Sequence, residues 1–468
     1  MTSPVFTVPY DVLVEIFVHC LPRYPFGTVK RHSSVSSKIA PMLLCHVCSS
    51  WRMVAMASPI LWSHLSYRLA VSNSTLSESN WAVLQTDFTI LQWWEKNQGG
   101  MPPYLCLNAD IYEEAARSRS DVWVLDGLSA LMPYISSAQY LEIDLFFWDQ
   151  ISKWNGCGFQ DACSNLHTLV SFWARLPTDW ERGYPEIISY RPTHSQPASL
   201  LRRLNICDAL LRDDALILLN LPSLTHVSLH NITISLSFWM SFIRAIPNLT
   251  WGYFDIYKMR TWNDTKPTKS LLPNLISLSV TLQDLDKSLC ILFTNLHMPA
   301  LQTLCLSSFN GRWRTIDAIA EVSDLLKSTP NITTLYLDGD FLSLGSKSIL
   351  NSNTLLYQPS SPIWCSASSL AHLQLELSDF ISGTNAVEEL DSFIQNICTY
   401  ANRWVDLENP RCPIRSITIV HRKLKKIKDL ATSRIRDINK NTPNIDLQII
   451  SESPLRIAQS EWMKWSSR

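Results

Sequence analysis

The chain has 468 residues and carries 40 Lys and Arg against 41 Asp and Glu, a near-neutral balance that disfavours a nucleic-acid partner. Only 12 residues are glycine, well under the usual share of about 7%, and no GxGxxG or GxxxxGKS/T string occurs, which makes nucleotide enzymes improbable. No basic leader and no run of 18 uncharged apolar residues is present, so a protein that does not cross a membrane is expected, its 12 cysteines reduced thiols in the cytoplasm or nucleus.

The first predicted element is an amphipathic helix in Val8–Pro22. Pro9 sets its start, Asp11 sits near its first turn, and Leu13, Ile16, Phe17 and Cys20 fall on one stripe. Residues 23–38 follow as a basic, Ser-rich loop holding Ser33, Ser34, Ser36 and Ser37. A second helix is predicted from Pro41 to Ala55, carrying Leu44, Cys45, Val47, Cys48 and Trp51, with Pro59-Ile60-Leu61-Trp62 behind it. Cys45 and Cys48 fit the apolar rhythm of that helix, so no metal site is assigned there.

These two blocks resemble the F-box, the helical module by which eukaryotic proteins dock onto a Skp-type adaptor of a cullin-RING ubiquitin ligase. The likeness rests on Pro9, the Ile16-Phe17 pair, the Cys48-x-x-Trp51-Arg52 ending and Pro59–Trp62, the last as in fungal F-box proteins. Val8 stands where the usual pattern has Leu, and 23–38 is an insertion. The resemblance implies that Pro9, Leu13, Ile16, Phe17, Cys20, Pro22, Leu44, Val47, Cys48 and Trp51 face the adaptor or pack immediately behind that surface. About half of the apolar ones are expected to be internal packing.

Beyond a polar link at 72–80, a helix near Thr89–Lys96 and a first strand near 101–107 lead into a repeat. Its phrase is an apolar residue, two variable ones, an apolar one, a variable one, an apolar one. Copies begin at Leu201, Leu224, Leu249, Leu275, Leu301, Ile332, Leu370 and Ile414, with fainter ones at Ala138 and Leu166. Pro222, Pro247, Pro273, Pro299 and Pro330 each stand two residues ahead of a copy, where they are expected to end a helix and feed a strand. Helices are predicted between strands at 237–244 and 316–326. The pattern resembles leucine-rich repeats: an α/β solenoid with a parallel sheet and outer helices.

Alternation within each strand assigns the variable residues to a concave sheet face. A target-binding surface is therefore expected at His226, Trp251, Tyr253, Asp255, Tyr336, Asp338, His372, Gln374 and Glu376, with the three aromatic residues as anchors. The basic run at 421–430 reads as the solvated side of a last helix.

The expected organisation is an F-box over 1–67, a linker with a leading helix over 68–100, the solenoid over 101–450 and a tail over 451–468. The expected role is a non-catalytic substrate receptor: the F-box holds the adaptor and through it a cullin, and the repeats hold an unidentified protein target. No cofactor, nucleic acid or membrane partner is assigned. The alternative is an interaction scaffold that uses the adaptor without ubiquitin ligase activity.

Overall fold

The computed structural model describes residues 8–21, 36–71, 89–94, 96–97, 99–100, 104–111, 132, 134–144, 165–172, 200–207, 210–211, 221–260, 269–284, 293, 295–308, 325–326, 328–338, 369–376, 415–420 and 446–450. They form an α/β protein in which long runs of parallel strands repeat along the chain, a solenoid-like arrangement. The chain divides into two compact units, Met1–Ser223 and Leu224–Arg468.

The first unit opens with helix α1, Tyr10–Cys20. Pro9 lies just ahead of it in extended backbone, Asp11 complements the positive end of its dipole, and Leu13 and Phe17, one turn apart, turn inward. The single second helix expected from Pro41 to Ala55 is two: α2, Met42–Val47, and α3, Ser49–Met56. Cys48 breaks them with extended backbone (φ −159°, ψ 169°). The break is stabilised locally, because the Cys48 sulfur accepts the Trp51 amide at 3.4 Å and Arg52 Nε donates to the Cys45 carbonyl at 2.8 Å. A 3₁₀ turn, Pro59–Trp62, buries Leu61 and Trp62.

Trp62 ties this module to the rest of the first unit. Its indole donates to the Ala55 carbonyl at 2.8 Å, its own carbonyl accepts the Trp94 indole at 2.6 Å, and both Trp93 and Trp94 meet its ring edge-on at 4.7 and 4.9 Å. Residues 89–94 are helical, as expected. Strand β1, His64–Val71, then runs across the boundary expected at residue 67 and pairs in parallel with β2, Tyr104–Ile111. The sheet thus begins one strand before the expected 101–107 start. In the early strand Tyr67 fills the core position that Leu107 and Ile143 fill in β2 and in the strand paired with it. Strands β3 (Tyr140–Asp144), β4 (Thr168–Phe172) and β5 (Arg203–Cys207) continue the parallel order, and Leu65, Leu105, Leu141, Leu169 and Leu204 form one buried register row. A two-residue strand, β6, is Leu210–Leu211.

The second unit repeats the plan. Its main strands are β7 (His226–Ser235), β8 (Trp251–Arg260), β10 (Ser277–Asp284), β12 (Thr303–Ser308), β13 (Thr334–Asp338), β14 (His372–Glu376), β15 (Ser416–Val420) and β16 (Asp446–Ile450), each parallel to the next. Short strands β9 (Ser270–Leu271) and β11 (Leu296–His297) pair separately. Helix α4, Leu236–Ala245, matches the helix expected at 237–244. Ser235 caps it, its hydroxyl accepting the Phe238 amide at 2.9 Å, and its inner side buries Phe238, Trp239, Phe242 and Ile243. The helix expected at 316–326 lies outside the described residues except for 325 and 326, and the run 421–430 lies outside them entirely.

Four of the leading apolar residues close tight turns. The amides of Leu249, Leu275, Leu301 and Ile332 donate to the carbonyls of Ile246, Leu272, Met298 and Thr329 at 3.1, 3.4, 3.2 and 3.3 Å. The intervening proline is therefore at the second position of a β-turn, where its fixed φ is an advantage. The expected role holds for Pro247, which follows helix α4 and leads into β8, whereas Pro273 and Pro299 follow the short strands β9 and β11 rather than a helix. Both ends of each turn are buried, all of them apolar except Thr329, so the turn also directs the chain back to the core.

A second bond repeats beside it. One carbonyl per copy accepts two consecutive amides of the next: Thr225 from Thr250 and Trp251 (2.9 and 3.1 Å), Thr250 from Ile276 and Ser277 (2.9 and 3.2 Å), and likewise Ile276, Gln302, Thr333 and Ala371. Gln139 and His167 do the same in the first unit.

One core row departs from the pattern. Val227, Gly252, Leu278, Leu304, Leu335, Leu373 and Ile417 are in register, and Gly252 alone lacks a side chain. The Phe254 ring takes that space and meets Trp239 edge-on at 4.9 Å; a Cβ on residue 252 would fall 2.7 Å from it. Restoring the apparent repeat residue with Gly252→Val should accordingly destabilise the second unit by about 1–3 kcal/mol through overpacking, read as a lowered midpoint in chemical denaturation.

Candidate functional site

The N-terminal helices place the residues named from sequence in two groups. Leu13, Phe17 and Leu44 are interior, with Phe17 fully buried and its ring 4.9 Å from that of Trp51. Pro9, Ile16, Cys20 and Val47 are exposed, Cys48 and Trp51 are half-buried, and Pro22 lies outside the described residues. Leu13, Phe17 and Leu44 are thus residues that support a surface from beneath. Of the stripe expected on α1, Leu13 and Phe17 turn inward while Ile16 and Cys20 face out, and Leu44 is a buried position of α2.

Sequence patterning missed most of the outer surface. Tyr10, Val12 and Ile16 on α1, Leu43 and Val47 on α2, Met53 and Met56 on α3, and Ile60 are all exposed, Val47 to 54% and Met53 to 67%. Single exposed apolar residues are ordinary; eight within one small helical module are not. The spacing Val12/Ile16, Leu43/Val47 and Met53/Met56 was a readable signal, since each pair is three or four residues apart on its helix.

The sheet face is less open than alternation implied. In the second unit Tyr253, Asp255 and Tyr336 are buried, Tyr336 to 1% exposure, while His226, Trp251 and Gln374 are half-buried and His372 is exposed. Asp338 and Glu376 are register partners in β13 and β14, and their side chains lie outside the described ones. The burial has a geometric source in part: each face position is flanked in register by neighbours one strand away on either side, as Tyr253 is by Ser228 and Ser279. The more accessible part is the first row, His226, Trp251, Ser277, Thr303, Thr334, His372 and Ser416, while the second row is half-buried at Cys305, Gln374 and Thr418 and buried at Ser228, Tyr253, Ser279 and Tyr336; within the first row His372 Nδ1 and Ser416 Oγ are hydrogen-bonded at 2.7 Å.

A β-bulge adds one interaction that strand alternation could not predict. Asn231 takes positive φ (51°) where the β7–β8 register shifts between Leu229 and Ile232, and His230, inside the bulge, reaches Asp255 with Nδ1 2.6 Å from Oδ2. The pair joins an imidazole about half exposed to a carboxylate 6% exposed. Trp251 and Tyr253 hold their rings nearly parallel, 15° apart with centroids at 6.4 Å.

In the first unit the corresponding row is aromatic, which was also missed. His64, Tyr104 and Tyr140 stack on successive strands at 5.0 and 3.9 Å. Burial pushes the Tyr140 hydroxyl well above its usual range, and Tyr104 and the buried Glu142 push it the same way.

Among the described residues no three His, Cys, Asp or Glu side chains gather as a metal-binding set, and no helix is long and apolar enough to cross a membrane. The comparisons with known proteins leave the assignment to the residues. No family model and no curated protein matches the chain. Among solved structures, a Bacteroides fragilis protein is similar at 13% identity with a TM-score of 0.31, over 55% of this chain and 66% of its own length.

Two measurements separate the supporting residues from the surface ones. Phe17→Ala should cost about 3–5 kcal/mol of stability, whereas Val47→Asp and Met53→Asp should each change it by less than about 0.5 kcal/mol; denaturant titration of the three variants checks this. Cys305, half-buried as a residue, sits where loss of water pushes its thiol up to about 12. Because the thiolate is the nucleophile, iodoacetamide at neutral pH should label exposed Cys20 and leave Cys305 unmodified, as peptide mass mapping would show.

Proposed function

We propose that residues 8–62 are an F-box-type docking module for a Skp-type adaptor, and that the chain is a non-catalytic substrate receptor of a cullin-RING ubiquitin ligase. The observation that carries the reading is the outward apolar set Tyr10, Val12, Ile16, Leu43, Val47, Met53, Met56 and Ile60 on helices already packed internally through Phe17, Leu61 and Trp62. Helices that have satisfied their own core and still present apolar pairs outward have the makings of a partner surface. The sequence motif, Pro9, Ile16-Phe17, Cys48-x-x-Trp51-Arg52 and Pro59–Trp62, supports the same reading and shares Ile16 and Ile60 with that set.

The parallel repeats would be a divergent leucine-rich-repeat solenoid, and their accessible row the target-binding end. The receptor's contribution is then proximity: a target lysine held near the activated ubiquitin experiences a raised effective concentration, with no chemistry asked of this chain.

Purified full-length protein and a recombinant fungal Skp-type adaptor should form a complex in size-exclusion chromatography. Val47→Asp and Met53→Asp should weaken it at least about tenfold while leaving the melting profile unchanged. Absence of a wild-type complex would sink the assignment, and binding indifferent to both substitutions would remove the surface from it.

A further inference from the structure

We infer that strands β8, β10 and β12 form a binding site for an uncharged hydrogen-bonding side chain, a carboxamide or a hydroxyl, presented by an extended segment of the target. The inference rests on the second unit being the target-binding end.

Short side chains make the floor. On the same face β10 carries Ser277, Ser279 and Thr281, and β12 carries Thr303, Cys305 and Ser307, paired in register. On the other side of β10, also in register, β8 carries Trp251 and Tyr253 with their near-parallel rings. Tyr253, Ser279, Thr281 and Ser307 are buried and Trp251, Ser277, Thr303 and Cys305 half-buried, so the short side chains of the floor lie deeper than the first row, beside the two rings.

A polar group waits behind the accessible row. Trp251, Ser277 and Thr303 are half-buried, while Ser279, next along β10 on the same face, is only 6% exposed and its hydroxyl has no hydrogen-bond partner among the described residues. A buried hydroxyl left unpaired is a cost to the folded state, a deficit that an incoming donor or acceptor removes. Since the hydroxyl both donates and accepts, a carboxamide or another hydroxyl matches it. The hydroxyl has almost no surface of its own, so reaching it means parting the first row, a task for a side chain projecting from an extended segment rather than for a flat surface.

The electrostatics disfavour a charged anchor. Asp255, the one carboxylate described beside the floor, is already paired with His230. The Cys305 thiol, in register between Ser279 and Tyr336, is pushed up to about 12 by loss of water, the signature of surroundings that penalise anions. A charged head group would shed its hydration without a counter-charge in return.

The test pans immobilised full-length protein with phage-displayed linear peptides and titrates the best synthetic peptide. Its anchor should be Asn, Gln, Ser or Thr, and its replacement by Ala should weaken binding about tenfold or more. Ser279→Ala should weaken binding to a similar extent without lowering the melting temperature. Thr303→Lys, at the edge of the floor, should also impair binding, and affinity should change little between roughly 50 and 500 mM NaCl. Failure to select any peptide, selection of a charged anchor, or affinity indifferent to Ser279→Ala would each overturn the inference. Adaptor binding is scored on the same protein: its loss with peptide binding intact counts against the docking reading alone.

Discussion

The constraint on which the structure depends is lateral: every repeat must hand its backbone to the next at strand spacing. One carbonyl at the head of each copy, such as Thr225, Thr250 or Ile276, accepts two successive amides of its neighbour, and the parallel ladder continues from there. No copy can bury its leucines or satisfy these groups alone, so stability accumulates by neighbours, as in repeat proteins generally. Turns headed by Pro247, Pro273, Pro299 and Pro330 bring each strand back into register, and their buried ends tie the turn to the core.

Local departures from this plan are tolerated where another side chain compensates. Gly252 surrenders a core position to the Phe254 ring, and the bulge at Asn231 sets His230 against Asp255. Both occur on adjacent strands of the second unit, next to the aromatic pair Trp251 and Tyr253. In the first unit, Trp62 performs the comparable task of connection, giving one hydrogen bond to α3 and receiving one from Trp94. A helical module of this size has little core of its own, so a tryptophan bonded on both sides is a substantial share of what holds it in place.

The apolar helix surface and the hydroxyl floor of the sheet differ in chemistry in a way that suits different partners. Exposed Val47 and Met53 favour a partner through area removed from water, a contribution that tolerates salt and variation in shape. The buried Ser279 hydroxyl in the sheet lacks a hydrogen-bond partner among the described residues, and there a matched polar group would be favoured over a charge. A chain with near-zero net charge gains little from long-range attraction at either place.

Sequence by itself determined the repeat, its leading leucines, helix α1, the helix at 236–245 and the α/β class, because hydrophobic periodicity is a local property set by which residues must face inward. It did not reveal the break at Cys48, the strand at 64–71 or the turn position of the prolines, which depend on backbone hydrogen bonds between residues whose pairing is visible only once strands are in place. Nor could alternation distinguish Trp251, half-buried in the accessible row, from Tyr336, buried in the next, since both obey the same period of two. Burial of a strand residue is decided by what stands beside and above it in three dimensions, and that only the tertiary structure supplies.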